Sequence, residues 1–173
     1  MSEQQVLKGK RAYLSGPIEH SDGKDWRAEP KNVLINQFGI DLFDPYVDPK
    51  QQWAPMLVQA RQEKNYAEMQ RIAHDFLRKD LSLVDHSDLI IAYLPRNVAT
   101  VGTVHEIIVS NTEKKPTLLI CPEGKEFISF WYYGFIPLDF MFGSWEELYQ
   151  YLREVNEGKH KKNDRWAYIY GVI

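Results

Sequence analysis

The sequence predicts a single doubly wound α/β domain: a mostly parallel sheet of about five strands with helices on both faces. Two observations carry this. Short apolar runs alternate along the chain with longer amphipathic stretches, the order that a strand–helix–strand architecture requires. One run, Leu89-Ile90-Ile91-Ala92-Tyr93-Leu94, is almost wholly apolar, as a central strand covered on both sides must be. The 173 residues suffice for one core, and no repeat or low-complexity segment divides them.

Taken in order, Arg11-Ala12-Tyr13-Leu14-Ser15 is the first strand, ended by Gly16-Pro17. A helix is predicted over residues 25–38, closed by Gly39, because glycine accepts the left-handed conformation of a C-terminal cap. Residues 40–43 form the second strand, with Asp44-Pro45 as its turn. Residues 48–55, rich in proline and glutamine, are expected to be a loop, within an insertion over 48–65 that could form a lid. Over residues 66–84, Met69, Ile72, Ala73, Phe76, Leu77, Leu81 and Val84 recur at three- and four-residue spacing, which marks a helix. The apolar strand follows, then a helix over 102–112 and a strand over 117–121. A last helix spans 144–155, where Ser144 and Glu147 have the spacing of a capping box. Residues 157–164 are charged and expected to be exposed, whereas 166–173 are apolar and aromatic and should pack on the body or on a second subunit. The arrangement is flavodoxin-like, and ligands of such folds bind beyond the carboxyl ends of the strands.

Composition narrows the function. A net charge of −3 argues against a binder of nucleic-acid polymers, though not against a binder of single nucleotides. Aromatics make up 13% of the chain, enough for a surface that stacks on a flat ligand, although core filling and a subunit interface are the plainer account. The single cysteine, Cys121, lies in an apolar run and reads as a buried core thiol, and one cysteine builds neither a disulfide nor a thiolate metal site. No stretch is long and apolar enough to span a bilayer, and the polar N-terminus lacks the apolar segment of a signal peptide. A cytoplasmic location without membrane partners is expected.

The loops after the strands are the place to look for chemistry. Ser15-Gly16-Pro17-Ile18-Glu19-His20 follows the first strand. After the third, Thr100-Val101-Gly102-Thr103-Val104-His105-Glu106 runs into a helix whose free N–H groups favour an anion. Glu106 is expected in the first turn, facing the cleft; the plainer alternative is a carboxylate that only complements the helix dipole. Asp80 lies late in the long helix, and its ordinary reading is a solvated residue paired with a cation. Asp85 and Asp88 flank a turn. His105-Glu106 lacks the second histidine of a zinc-protease helix, because Val109 stands in its place, and the other histidines show no ligand spacing. Neither a dinucleotide glycine fingerprint nor a P-loop lysine is present. No metal and no organic cofactor is expected.

Three segments, in this order and spacing, carry a resemblance. They are Tyr13-Leu14-Ser15-Gly16-Pro17; Lys79-Asp80-Leu81 ahead of Ser87-Asp88-Leu89-Ile90-Ile91-Ala92; and Gly102-Thr103-Val104-His105-Glu106-Ile107. Together they resemble the nucleoside 2-deoxyribosyltransferase superfamily, which includes the 2′-deoxynucleoside 5′-monophosphate N-hydrolases. The resemblance implies that Glu106 is the nucleophile that attacks the anomeric carbon and displaces the base. It implies that Tyr13 holds that carboxylate, and that Asp80 contacts the sugar and supports proton transfer. Ser15, Gly16, Pro17 and Gly102, within the matching motifs, are expected to bind substrate. Retaining glycosyl transfer does require a carboxylate at the anomeric centre and a proton for the leaving base.

Two positions bear on the branch. Six residues before the nucleophile the transferases carry an aspartate that handles the base and the hydrolases a serine that binds the 5′-phosphate; here Thr100 stands there. The hydrolases place a second phosphate-binding serine, reaching across a dimer interface, five residues before a glycine, as Ser129 lies before Gly134. These hydroxyls favour hydrolysis of a nucleoside monophosphate, with base exchange between deoxynucleosides as the alternative. Ile108 replaces a usual glycine two residues after the nucleophile and is expected to alter packing beneath the site. With Thr100 it keeps open a third reading, an inactive nucleotide-binding module. Eight aromatic residues over 127–142 exceed what one loop readily buries, so a homodimer with shared sites is expected, unless the rings fold inward or cover the cleft.

Overall fold

The computed structural model describes residues 5–18, 23–47, 53–98 and 100–172. Five parallel strands form one sheet in the order β2-β1-β3-β4-β5. The strands are β1 (Arg11–Ser15), β2 (Asp41–Phe43), β3 (Leu89–Tyr93), β4 (Thr117–Ile120) and β5 (Met141–Phe142). The helices are α1 (Gly23–Asn36), α2 (Trp53–Gln62), α3 (Tyr66–Asp85), α4 (Val101–Thr112), α5 (Phe130–Tyr133), α6 (Trp145–Asn156) and α7 (Ala167–Tyr170). The chain leaves β1 for β2 on one side and later returns to β3 on the other, so the order reverses between β1 and β3. That switch point is where a doubly wound sheet opens a crevice.

The predicted strands and helices stand within one or two residues of their expected bounds. Gly39 adopts a φ of +65°, as the cap of α1 requires. Every residue of β3 from Leu89 to Ala92 is fully buried. Asn65 opens α3 by accepting the N–H of Glu68, and Lys115 closes it by donating to the carbonyls of Val84 and Asp85. Ser144 caps α6 through the N–H of Glu147, but the Glu147 carboxylate turns back to the N–H of Gly143 in place of Ser144, so the box is offset by one residue. Cys121 is buried, and burial raises its thiol pKa.

Two expectations need correction. The region expected to be a loop is helical from Trp53 onward, and Pro55 sits in the first turn of α2, where its missing N–H costs no helical bond. Residues 48–52 lie outside the described residues. α2 then packs on α3. Glu106, expected in the first turn of its helix, lies in the second, because α4 starts at Val101 with Thr100 as its N-cap. Its role is therefore not to complement the dipole, which acts within the first turn.

The C-terminal segment packs back on the body. Trp166 is fully buried, its indole N–H donates to the Tyr151 hydroxyl at 2.8 Å, and its ring meets Phe140 edge-on. Ile173 lies outside the described residues. Among the described residues, no helix is long and apolar enough to cross a membrane.

Candidate active site

Side chains alternate along a strand, so Tyr13 and Ser15 project from the same face of β1. That face meets α4. The Tyr13 hydroxyl donates to Glu106 Oε1 at 2.8 Å, and the Ser15 hydroxyl donates to Glu106 Oε2. Both donors are fully buried, and Glu106 is 8% exposed. A buried carboxylate without donors would carry a large desolvation cost; two hydroxyls, one for each oxygen, offset it. Burial, and then the adjacent Glu106 charge, hold the Tyr13 pKa well above its ordinary value. Tyr13 is thus a neutral donor at any physiological pH.

The exposed edge of Glu106 opens on a cavity of about 300 Å³ between α2, α3 and α4. Its walls are mostly apolar: Leu57 of α2, and Ala73, Phe76, Leu77 and Leu81 of α3. The polar groups are Asp80, His105 and Glu106, with Gly102 beside them. Asp80 is buried, not the solvated surface residue of its ordinary reading. A Cβ at Gly102 would meet nothing within 4 Å, so this glycine leaves open space at the start of α4. Thr100, the N-cap residue, makes no capping hydrogen bond with its own side chain.

The loop after β1 is anchored from behind. Arg27, fully buried on α1, donates to the carbonyls of Gly16 at 3.1 Å and Pro17 at 3.0 Å. Its Nε lies 3.2 Å from Asp44 Oδ1, while Lys31 meets the other Asp44 oxygen at 2.9 Å. Burial lowers the Arg27 pKa, and the charges of Asp44 and Glu106 oppose that shift. Trp26, the neighbour of Arg27, stacks on Tyr93 at 4.4 Å, and the place of a Cβ on Gly16 would be 2.4 Å from its indole. No other residue fits at position 16 without displacing that ring. Gly16 and Pro17 are themselves buried.

Of the residues singled out in the sequence, the structure joins Tyr13, Ser15 and Glu106 by hydrogen bonds and sets Asp80 and Gly102 on the same cavity. Ser129 is not among the cavity's lining residues; it caps α5, accepting the N–H of Trp131. Ile108 is 43% exposed, so it does not pack beneath the site. Glu19 and His20 lie outside the described residues. Sequence reasoning missed Arg27 and Leu57; Asp44 was read only as a turn residue, and Phe76 only as an apolar position of its helix.

A family model described as nucleoside 2-deoxyribosyltransferase matches residues 12–163, which takes in every one of these side chains. The chain belongs to that family. Among solved structures, a 2-deoxyribosyltransferase from the psychrotolerant bacterium Bacillus psychrosaccharolyticus aligns with a TM-score of 0.58 over 80% of this chain and 89% of that one. At 20% identity the likeness is one of fold. No curated protein matches the chain.

The ion pair behind the loop gives this deoxyribosyltransferase-family site a measurable dependence. Asp44→Ala leaves the buried Arg27 guanidinium without its counter-charge and should cost ~3–5 kcal/mol of stability. Urea unfolding checks this; a loss below ~1 kcal/mol would contradict the buried pair as the anchor of the loop.

Proposed function

We propose that this protein cleaves the N-glycosidic bond of a 2′-deoxynucleoside 5′-monophosphate, with Glu106 as nucleophile, releasing base and sugar phosphate. The observation that supports it is Glu106 itself: a carboxylate aligned by two hydroxyls and presented to an apolar cavity that Asp80 shares. One Glu106 oxygen attacks C1′; the C1′–N bond breaks, and its electron pair goes to the departing base. Asp80 is the side chain suited to carry the proton that neutralises the base. Water then attacks C1′, the ester bond breaks with its pair returning to Glu106, and the water's proton passes to Asp80, which restores the proton given to the base. The apolar walls, Phe76 among them, suit a flat base. No metal or organic cofactor enters these steps.

The hydroxyl of Thr100 supports a phosphate on the substrate. It does not cap its own helix and stands at the N-terminus of α4, where the first N–H groups have no partner within the helix and favour an anion. The second reading is base exchange, in which a second nucleobase takes the place of water; the family match favours it. A free nucleotide or nucleoside substrate accords with a cytoplasmic location.

Incubation with the four natural 2′-deoxynucleosides and their 5′-monophosphates, with and without a free acceptor base, tests the proposal. Base release that requires the phosphate is expected. Exchange into acceptor bases without hydrolysis would overturn the hydrolase reading, and tight binding without product would overturn both enzymatic ones. Thr100→Ala should lower kcat/KM for the monophosphates by about 10- to 100-fold, the loss of one hydrogen bond to an anion, and leave nucleosides nearly unaffected. Equal loss on both classes would mean that Thr100 shapes the pocket without reading phosphate.

We also propose a homodimer in which Ser129 completes the partner's site. Phe130 is 89% exposed and Trp131 76%, an aromatic pair that a two-fold contact would cover. Their neighbours Tyr132, Phe140 and Phe142 turn inward and join the core. Mixing inactive Glu106→Gln chains with inactive Ser129→Ala chains should restore part of the activity, because one site in each mixed dimer is intact. A fully active monomer in light scattering would contradict shared sites.

A further inference from the structure

Ser15 was expected to bind substrate, yet its hydroxyl is turned to Glu106 Oε2 and meets no other acceptor among the described residues. It is fully buried, and its backbone is fixed in the sheet opposite Ala92. Its neighbours Gly16 and Pro17 are locked by Arg27. Ser15 is therefore a rigid donor that water does not reach, aimed at the carboxylate oxygen that Tyr13 leaves unserved.

Resting on the reading of Glu106 as a nucleophile, we infer that Ser15 is a positioning residue for the second half of the reaction, the breakdown of the glycosyl ester. Hydrogen bonds to a carboxylate strengthen with its negative charge. In the ester that charge is gone. When the acceptor, water or a second base, attacks C1′, the C1′–O bond breaks and the electron pair returns to Glu106. A donor already in place stabilises the returning charge without reorganisation. The same donor slightly opposes the first step, where the carboxylate gives its charge up. Tyr13 serves Oε1 alone, so full stabilisation of the released carboxylate requires the hydroxyl at position 15.

Ser15→Ala removes the donor and almost no volume. Its expected signature is a split between kinetic constants. Breakdown of the ester becomes limiting, so kcat falls about 10- to 100-fold, the scale of one charged hydrogen bond, and KM falls with it. Then kcat/KM, which reports ester formation, changes little. Intact mass spectrometry of rapidly quenched turnover, over the same panel of deoxynucleosides and monophosphates, should show the protein carrying one glycosyl unit in Ser15→Ala and far less in the native chain. Ser15→Cys, a weaker donor, should fall between the two, and thermal melting verifies that each variant is folded. A fall in kcat/KM with KM unchanged or raised and no adduct overturns the inference, as does an unaltered kcat. Glu106→Gln run alongside separates the two claims: if it is inactive while folded Ser15→Ala gathers no adduct, the nucleophile stands and the role of Ser15 falls. If Glu106→Gln turns over normally, the nucleophile itself is wrong.

Discussion

A carboxylate taken out of water must find donors or be destabilised, and the arrangement of this fold follows from meeting that demand at Glu106. The two donors do not come from the helix that carries Glu106, whose N–H groups from Val104 onward are engaged in its ladder. They come from β1, the strand beside the switch point, where a two-residue period sets Tyr13 and Ser15 on the face that meets α4. The parallel pairing of β1 with β3 fixes how far along α4 those hydroxyls reach. One register shift would turn both away from the carboxylate.

The rest of the site is built to hold β1's end still. Arg27 grips two successive carbonyls of the loop, and Asp44, at the end of β2, neutralises Arg27. The packing of Trp26 over Gly16 removes room for the loop to move on that side. On the other face α2 and α3 supply an apolar wall with few polar groups in it, so charge developing near Glu106 is poorly screened and strongly felt. Rigidity on one face and an apolar-walled cavity on the other suit the nucleophile proposed at Glu106.

Much of this was legible in the sequence because it rests on local pattern. The period of α3, the unbroken apolar run of β3 and the glycine after α1 each specify their element without reference to the rest of the chain. Tyr13, Asp80 and Glu106 were legible as an ordered set. What escaped depends on distance in the fold. A buried arginine carries no mark in the sequence, since Arg27 owes its burial to carbonyls and a carboxylate that only the folded chain brings to it. Two-residue β5 is too short to show a period, and α2 was hidden by its proline, which at the third helical position does no harm. Ser15 was read by its place in a loop motif; its direction depends on strand alternation and on the position of α4.

The most direct measurement is chemical trapping. A nucleoside substrate, with or without its 5′-phosphate, bearing fluorine at C2′ disfavours positive charge at C1′ and slows ester breakdown, so the glycosyl-enzyme should persist long enough for proteolysis and peptide mass spectrometry. The sugar should be found on the peptide containing Glu106, fragmented to that side chain. Label on Asp80, or turnover with no labelled peptide at all, would contradict an enzyme built around a nucleophilic Glu106.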